Sequence, residues 1–245
     1  MIESDPERLA AAAHVAATMA PHALPDARFD RDFHWFIPGF ADAAIAAQRL
    51  VGLDIYRTAA TLFVTPDNGL APLRAAAIRD RKTLVLPNYG LRRGFVLIDG
   101  SAIDPALATY ASWLDGLELF GRPISLEALA SDIRIDLVVT AAAAISTAGQ
   151  RFGMGSAYLD LEYPILSRLG CTTDATPIVA IAHDAQVWPA TLPDRATDIC
   201  ADIIVTPTTT HACPSHERST AVHWDLVDVE LASEAYFAAM HDLCD

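Results

Sequence analysis

The stretch RFGMGSAYLDLEY, from Arg151 to Tyr163, holds the densest set of residues suited to chemistry. Gly153 and Gly155 allow positive φ and a close backbone approach to a ligand. A helix opening just after them presents unpaired N–H groups and a positive dipole end to an anion. Ser156, followed by Ala157, can cap that helix or donate its hydroxyl to a phosphate oxygen. Arg151 can clamp an anion through two parallel hydrogen bonds, and Asp160 can hold a magnesium ion against it. By itself this pattern fits a tight strand-to-helix connection equally well. Glu162, one to two turns further on, is expected to be solvated.

AHDAQVWPATLPDRATD (182–198) is the second cluster, at the end of the apolar run TPIVAIA. His183 and Asp184 emerge there as a polar pair for acid–base work or for hydrogen bonding a heterocycle. A capping interaction within a loop explains them equally well. HACPSH (211–216) matches no standard zinc spacing and reads as a polar loop. No serine or cysteine sits in a nucleophile context such as GxSxG.

The chain has 245 residues and a formal charge of −14, with a pI near 4.8. Its acidic residues are dispersed, a poor basis for nucleic-acid binding, which depends on neutralising phosphates. A local cradle for a nucleotide remains compatible with that charge. No long apolar run suggests a membrane span, and the acidic start MIESDPERLA is unlike a signal peptide. Cys171, Cys200, Cys213 and Cys244 form no CxxC pair, so free thiols in a reducing cytoplasm are expected.

These residues need a frame to hold them. Residues 5–20 read as a helix with Leu9, Val15 and Met19 on one side, and ADAAIAAQRL as another helix. TLFVT (61–65), TLVLP (83–87), GFVLID (94–99), IDLVVT (135–140), TPIVAIA (176–182) and DIIVT (202–206) read as strands. Helical segments between several of them predict a mainly parallel sheet in an α/β fold. AVHWDLVDV reads as an edge strand, followed by a C-terminal helix from about Leu231. One α/β domain over residues 1–245 is expected, with residues before about 55 packed on it as a helical layer.

The combination resembles the 5-formyltetrahydrofolate cyclo-ligases, also called methenyltetrahydrofolate synthetases, and more closely their divergent synthetase-domain-like branch. The family's loop pattern, Arg-x-Gly-x-Gly-Gly-Gly-Tyr-x-Asp, is met by Arg151, Gly153, Gly155, Tyr158 and Asp160. Its downstream landmarks are met by Gln186, Val187, Leu192, Pro193, Asp198 and Val205–Thr206. WFIPGFADA (35–43) and the segment 64–99 resemble the divergent branch, so the resemblance covers about residues 35–210.

The resemblance implies a three-layer α/β/α fold similar to ribose-5-phosphate isomerases and CoA transferases. It implies ATP- and Mg2+-dependent cyclisation of 5-formyltetrahydrofolate to 5,10-methenyltetrahydrofolate in a monomer or homodimer. Arg151, Tyr158, Asp160 and His183 are then the catalytic candidates, with Asp160 as metal ligand. Gly153, Gly155, Ser156, Ala157, Arg79 and Lys82 are candidates for the nucleotide. Trp35, Pro38, Phe40, Tyr89 and Gln186 are candidates for the folate-like substrate, although the aromatics of 35–40 suit a core equally. Arg74, Arg79, Arg81, Lys82, Arg92 and Arg93 concentrate positive charge between residues 74 and 93. Three features depart from the family: Ser156 and Ala157 replace glycines, the basic helix start is reduced to Arg8, and Thr197 replaces a histidine. A homologue repurposed for another metabolite, without ATP, and a non-catalytic folate- or nucleotide-binding module are the alternatives.

Overall fold

The structure is a computed structural model and describes residues 5–24, 37–88, 91, 94–153, 157–224 and 235–244. Trp35, Tyr89, Arg92, Arg93, Gly155 and Ser156 lie outside the described residues.

The elements run α1 (Pro6–Met19), α2 (Ala43–Val51), α3 (Asp54–Thr58), β1 (Thr61–Val64), α4 (Ala71–Arg79), β2 (Thr83–Pro87) and β3 (Phe95–Asp99). Then come α5 (Ala108–Ala111), α6 (Leu114–Phe120), β4 (Arg122–Ile124), α7 (Leu126–Asp132), β5 (Leu137–Ala141), β6 (Ala144–Ser146) and β7 (Arg151–Phe152). The chain continues through α8 (Ala157–Arg168), β8 (Ile178–Ile181), β9 (Val187–Trp188), β10 (Ile203–Val205), β11 (Thr210–Ala212) and α9 (Ala235–Cys244).

Eight strands form one sheet in the order β11-β10-β8-β5-β1-β2-β3-β4. The central run β10-β8-β5-β1-β2 is parallel. Among the described residues, β3, β4 and β11 join this sheet antiparallel. β3 turns back because residues 88–94 are too few for the crossover that a parallel partner needs. The expected edge strand at 221–229 is not a strand over 221–224, and the rest lies outside the described residues. The edge is β11 instead, which contains His211 of the expected polar loop. The Thr206 side chain accepts from the N–H groups of Thr208 and Thr209 (3.3 and 3.0 Å), reversing the chain directly after β10.

Side chains alternate across each strand, so the sheet has two apolar faces. Leu62, Val64, Leu84, Val139 and Ile181 meet α2 and α4 through Leu50, Leu73 and Ile78. Phe63, Val85, Val138, Ile178 and Ile204 meet α7, α8 and α9 through Leu129, Leu166 and Met240. The result is three-layer α/β/α.

A second sheet, β7-β6-β9, extends the parallel strands at their C-terminal ends. Helix α1 rests on it through Ala11 and Val15 against Ala144, Phe152 and Leu192. Its buried stripe is Arg8, Ala11, Val15 and Met19, whereas Leu9, expected on that face, is exposed. A buried arginine took the place of a leucine on the stripe, for a reason visible only in its partners.

Candidate functional site

Strands β1, β5, β8 and β10 end side by side, and ligands of parallel α/β sheets collect at such an edge. Beyond β5 the chain makes β6, a tight turn and β7 before entering α8. The Ser146 hydroxyl accepts from the N–H groups of Ala148 and Gln150 (both 3.2 Å) and closes that turn. Gly149 has φ +88°, and a Cβ there would stand 2.2 Å from the Ala201 carbonyl oxygen. Its own carbonyl accepts from the Ala201 N–H (2.9 Å), joining the turn to the 192–201 loop. Gly153 also has positive φ (+85°), and a Cβ there would press on Ala143 at 3.1 Å. The protein itself demands both glycines.

Arg151 is 3 % exposed and Asp160 4 % exposed, and they form an ion pair. Arg151 Nε donates to the Ile199 carbonyl, while the Ile199 N–H donates to Asp160 Oδ1 (both 3.0 Å). Burial lifts the Asp160 carboxyl to about 6, against the opposing pull of Arg151 and the Ile199 N–H. Beside this pair lies a second one. Arg8, 1 % exposed, donates to both oxygens of Asp198 (2.6 and 3.2 Å) and to the carbonyls of Pro193 (2.9 Å) and Arg151 (3.0 Å). The arginine of the N-terminal helix is thus a strut joining α1 to the loop and to β7.

A third arginine stands under the end of β1. Arg74 is fully buried and donates to the carbonyls of Ser112 (2.9 Å), Thr65 (3.0 Å) and Asp67 (2.9 Å). It belongs to the core rather than to a basic surface, and its Nη2 has no partner. Asp67 is half-buried and accepts the Thr65 hydroxyl. Withdrawal from water pushes its carboxyl up, against Thr65 and Arg74.

Glu162 overturns the sequence expectation. It is buried at 3 % exposure, and its Oε2 has no hydrogen-bond partner. Burial first, then the Asp67 and Asp160 charges, push it up to about 8, with Arg151 opposing. Leu159, Leu161, Tyr163, Ile165 and Leu166 around it are all buried. Apolar residues on every side of LDLEYPIL (159–166) mark a stretch of helix buried all round, whose acids face inward too.

The other candidates divide between the two edges of the sheet. Gln186 is buried, and its amide donates to the carbonyls of Ala142 (2.7 Å) and Ala143 (3.2 Å) and accepts from the His183 N–H (2.7 Å). His183 Nδ1 accepts from the Ala185 N–H (3.1 Å), so the ring's proton sits on Nε2. Its ring stacks on His22 (4.2 Å between centroids) and meets Phe40 edge-on (5.8 Å). Burial and His22 lower its pKa. Asp184 accepts instead from the Thr206 and Thr208 hydroxyls. Phe40 and the Pro38 carbonyl close over Gly69, at the end of β1. Tyr158 is 44 % exposed on the first turn of α8, next to Ala157.

Arg79 and Lys82 are not brought to this edge. They precede β2 at the sheet's opposite edge, where Arg79 donates to the Thr109 hydroxyl (2.6 Å). Lys82 donates to the Ala59 carbonyl and lies 4.7 Å from the Tyr56 ring centroid. A magnesium ion needs several oxygen ligands in near-octahedral array. Asp160 and Asp198 are committed to arginines, and no group of three or more His, Cys, Asp or Glu among the described residues is placed to hold a metal. The described residues therefore build no all-protein cage for Mg2+, an ion usually held by one or two carboxylates together with waters and substrate phosphates. His211 and His216 direct ring nitrogens at the Thr147 and Ala148 carbonyls (3.0 and 2.6 Å). Cys171, Cys200 and Cys213 are free thiols.

Residues 16–207 match the 5-formyltetrahydrofolate cyclo-ligase family. The methenyltetrahydrofolate synthase domain-containing protein of Mus musculus is 33% identical over 224 residues, covering 88% of this chain and 58% of that protein. That of Homo sapiens is 31% identical over 212 residues, covering 84% and 54%. The chain spans about half the length of the curated relatives it matches. An NMR structure of Aquifex aeolicus 5,10-methenyltetrahydrofolate synthetase superposes with a TM-score of 0.50 at 18% identity, covering 88% of this chain and 97% of that one, a likeness of fold. The matched segment takes in the end of β1, the β7–α8 connection and the 183–198 loop, so the chain belongs to the 5-formyltetrahydrofolate cyclo-ligase family.

Proposed function

We propose that this chain binds a folate-like small molecule at the C-terminal edge of its sheet. There it carries out a cyclo-ligase-type ring closure between a formyl amide and a neighbouring amine. The observation that carries the reading is the gathering, inside the family-matched segment, of Asp67, Arg151, Asp160, Glu162, His183 and Gln186 at one strand edge. The names of the relatives, methenyltetrahydrofolate synthase domain-containing proteins, support the same substrate class.

The protein's own contribution is orientation and proton handling. Arg151 and Asp160, locked together, make a rigid floor under the first turn of α8. Phe40 and His183 offer an aromatic flank for a planar ring, and His183 presents its Nε2–H as a donor. Tyr158 is exposed enough to touch a ligand at the helix start. In such a closure the amine attacks the formyl carbon and its proton passes to the oxygen. Protonation of the resulting hydroxyl lets water leave, so the reaction takes up one proton overall. Low pH favours closure, and neutral pH favours the reverse hydration.

The family's ATP-dependent cyclisation is the second reading, favoured by the Arg151, Gly153 and Asp160 register. One assay decides between them. The purified chain is given 5-formyltetrahydrofolate with magnesium-ATP or with EDTA, and methenyl absorbance is followed together with ADP release. Methenyl hydration and formation in EDTA supports the first reading, and stoichiometric ADP release supports the second. Absence of 5-formyltetrahydrofolate binding by calorimetry, with no turnover in either condition, overturns both.

A further inference from the structure

Glu162 is the part of this site that the fold leaves unfinished. Arg8 pairs with Asp198 and Arg151 with Asp160, Arg74 donates to the backbone carbonyl of Asp67, and Glu162 Oε2 is left without a partner. Its Oε2 is shut off from water and unpaired, a state that costs free energy in the folded protein. Packing does not require an acid here, because Leu159, Leu161, Tyr163 and Ile165 supply the apolar contacts of α8. The charged groups acting on it are Asp67 after β1, Arg151 on β7 and Asp160 on its own helix. Arg151 is committed to Asp160 and to the Ile199 carbonyl. Asp67, the residue after β1 whose charge acts on Glu162, is half-buried.

We propose that the Glu162 carboxyl recognises a planar amide or amino-heterocycle edge of the ligand, an N–H donor beside a carbonyl or ring-nitrogen acceptor, through two parallel hydrogen bonds. The inference deepens the folate-like reading and rests on it for the ligand's identity, since such a molecule carries both an amide and an amino-heterocycle. A carboxylic acid kept neutral is itself a donor beside an acceptor and matches this edge atom for atom. Burial next to Asp67 and Asp160 favours that neutral form. The acid that destabilises the empty fold is then the one that selects the ligand, a trade typical of binding sites.

The full chain is compared with Glu162→Gln and Glu162→Met by calorimetry with 5-formyltetrahydrofolate. Thermal shift with pterin, 2-aminopyrimidine and nicotinamide runs in parallel. Methionine removes both hydrogen-bonding functions and should weaken binding by about 10- to 100-fold while raising the melting temperature. Glutamine keeps a donor and an acceptor and should restore most of the affinity. A merely structural Glu162 would move the melting temperature without moving affinity. Equal binding of 5-formyltetrahydrofolate by Glu162→Met and the natural chain overturns the inference and leaves the folate reading standing. Failure of 5-formyltetrahydrofolate to bind, with a Glu162-dependent shift by one of the small probes, overturns the folate reading and sustains the subsite. No Glu162-dependent binding of any of these compounds overturns the subsite.

Discussion

Replacing Arg8 by methionine separates a strut from a ligand-binding base. In the native fold the guanidinium meets both oxygens of Asp198 and the carbonyls of Pro193 and Arg151, all buried or nearly so. Methionine has similar reach and no charge, so Asp198 keeps only the Arg195 N–H, at 3.3 Å. Orphaning one member of a buried pair costs about 3–5 kcal/mol. The two lost carbonyl contacts add about 1 kcal/mol each. The expected loss is therefore about 5–7 kcal/mol, a large fraction of a typical domain's stability. Urea melts followed by circular dichroism measure it, with an unchanged slope confirming that the same fold is lost. Arg8→Met with Asp198→Asn should recover about 2 kcal/mol of this, because no charge is left buried alone. A loss below about 1 kcal/mol in the single variant, or a double variant no better than the single, refutes the strut.

Other perturbations test other parts of the site. Gly149→Ala meets both a forbidden φ and the Ala201 carbonyl 2.2 Å away, and should cost about 3 kcal/mol or more in thermal melts. Glu162 is raised from its ordinary 4.5 to about 8, so the fold holds its proton more tightly than the unfolded chain does. Stability is therefore highest below pH 4.5 and falls as pH rises toward 8, on the order of several kcal/mol in all, as the fold is made to carry a buried carboxylate. Glu162→Gln should lessen that slope in denaturation midpoints measured between pH 5 and 8, leaving slopes of the same sign from Asp67, pushed up by burial, and from Asp160, raised to about 6. Lys82→Ala should change stability by only about 1 kcal/mol and leave ligand affinity by calorimetry unmoved, because Lys82 stands at the opposite edge of the sheet. Cys200, buried and with its thiol pushed up to about 12, should react with a maleimide in the folded protein only at the rate of unfolding.

Local pattern was enough to specify much of this protein. Apolar runs bounded by turn residues placed the parallel strands, because a strand buried on both faces must be apolar on both. Gly153 was legible as a place for positive φ, and its register with Arg151, Tyr158 and Asp160 pointed to the family, whereas the need for Gly149 comes from the Ala201 carbonyl that folding sets against it. What the sequence could not carry was the edge at which each charge would lie. Arg79 and Lys82 are neighbours of Arg74 in the chain, yet only Arg74 enters the core, because a helix turns its residues through 100° and the sheet's polarity separates its ends by the length of a strand. Arg8 looked like a stray base among acids until folding brought Asp198, 190 positions away, against it. RFGMGSAYLDLEY began as a phosphate loop that equally fitted a turn. Tertiary structure spends its arginine on its aspartate and buries Glu162, because α8 is buried without a break from Leu159 to Leu166 and both of its acids lie in that stretch.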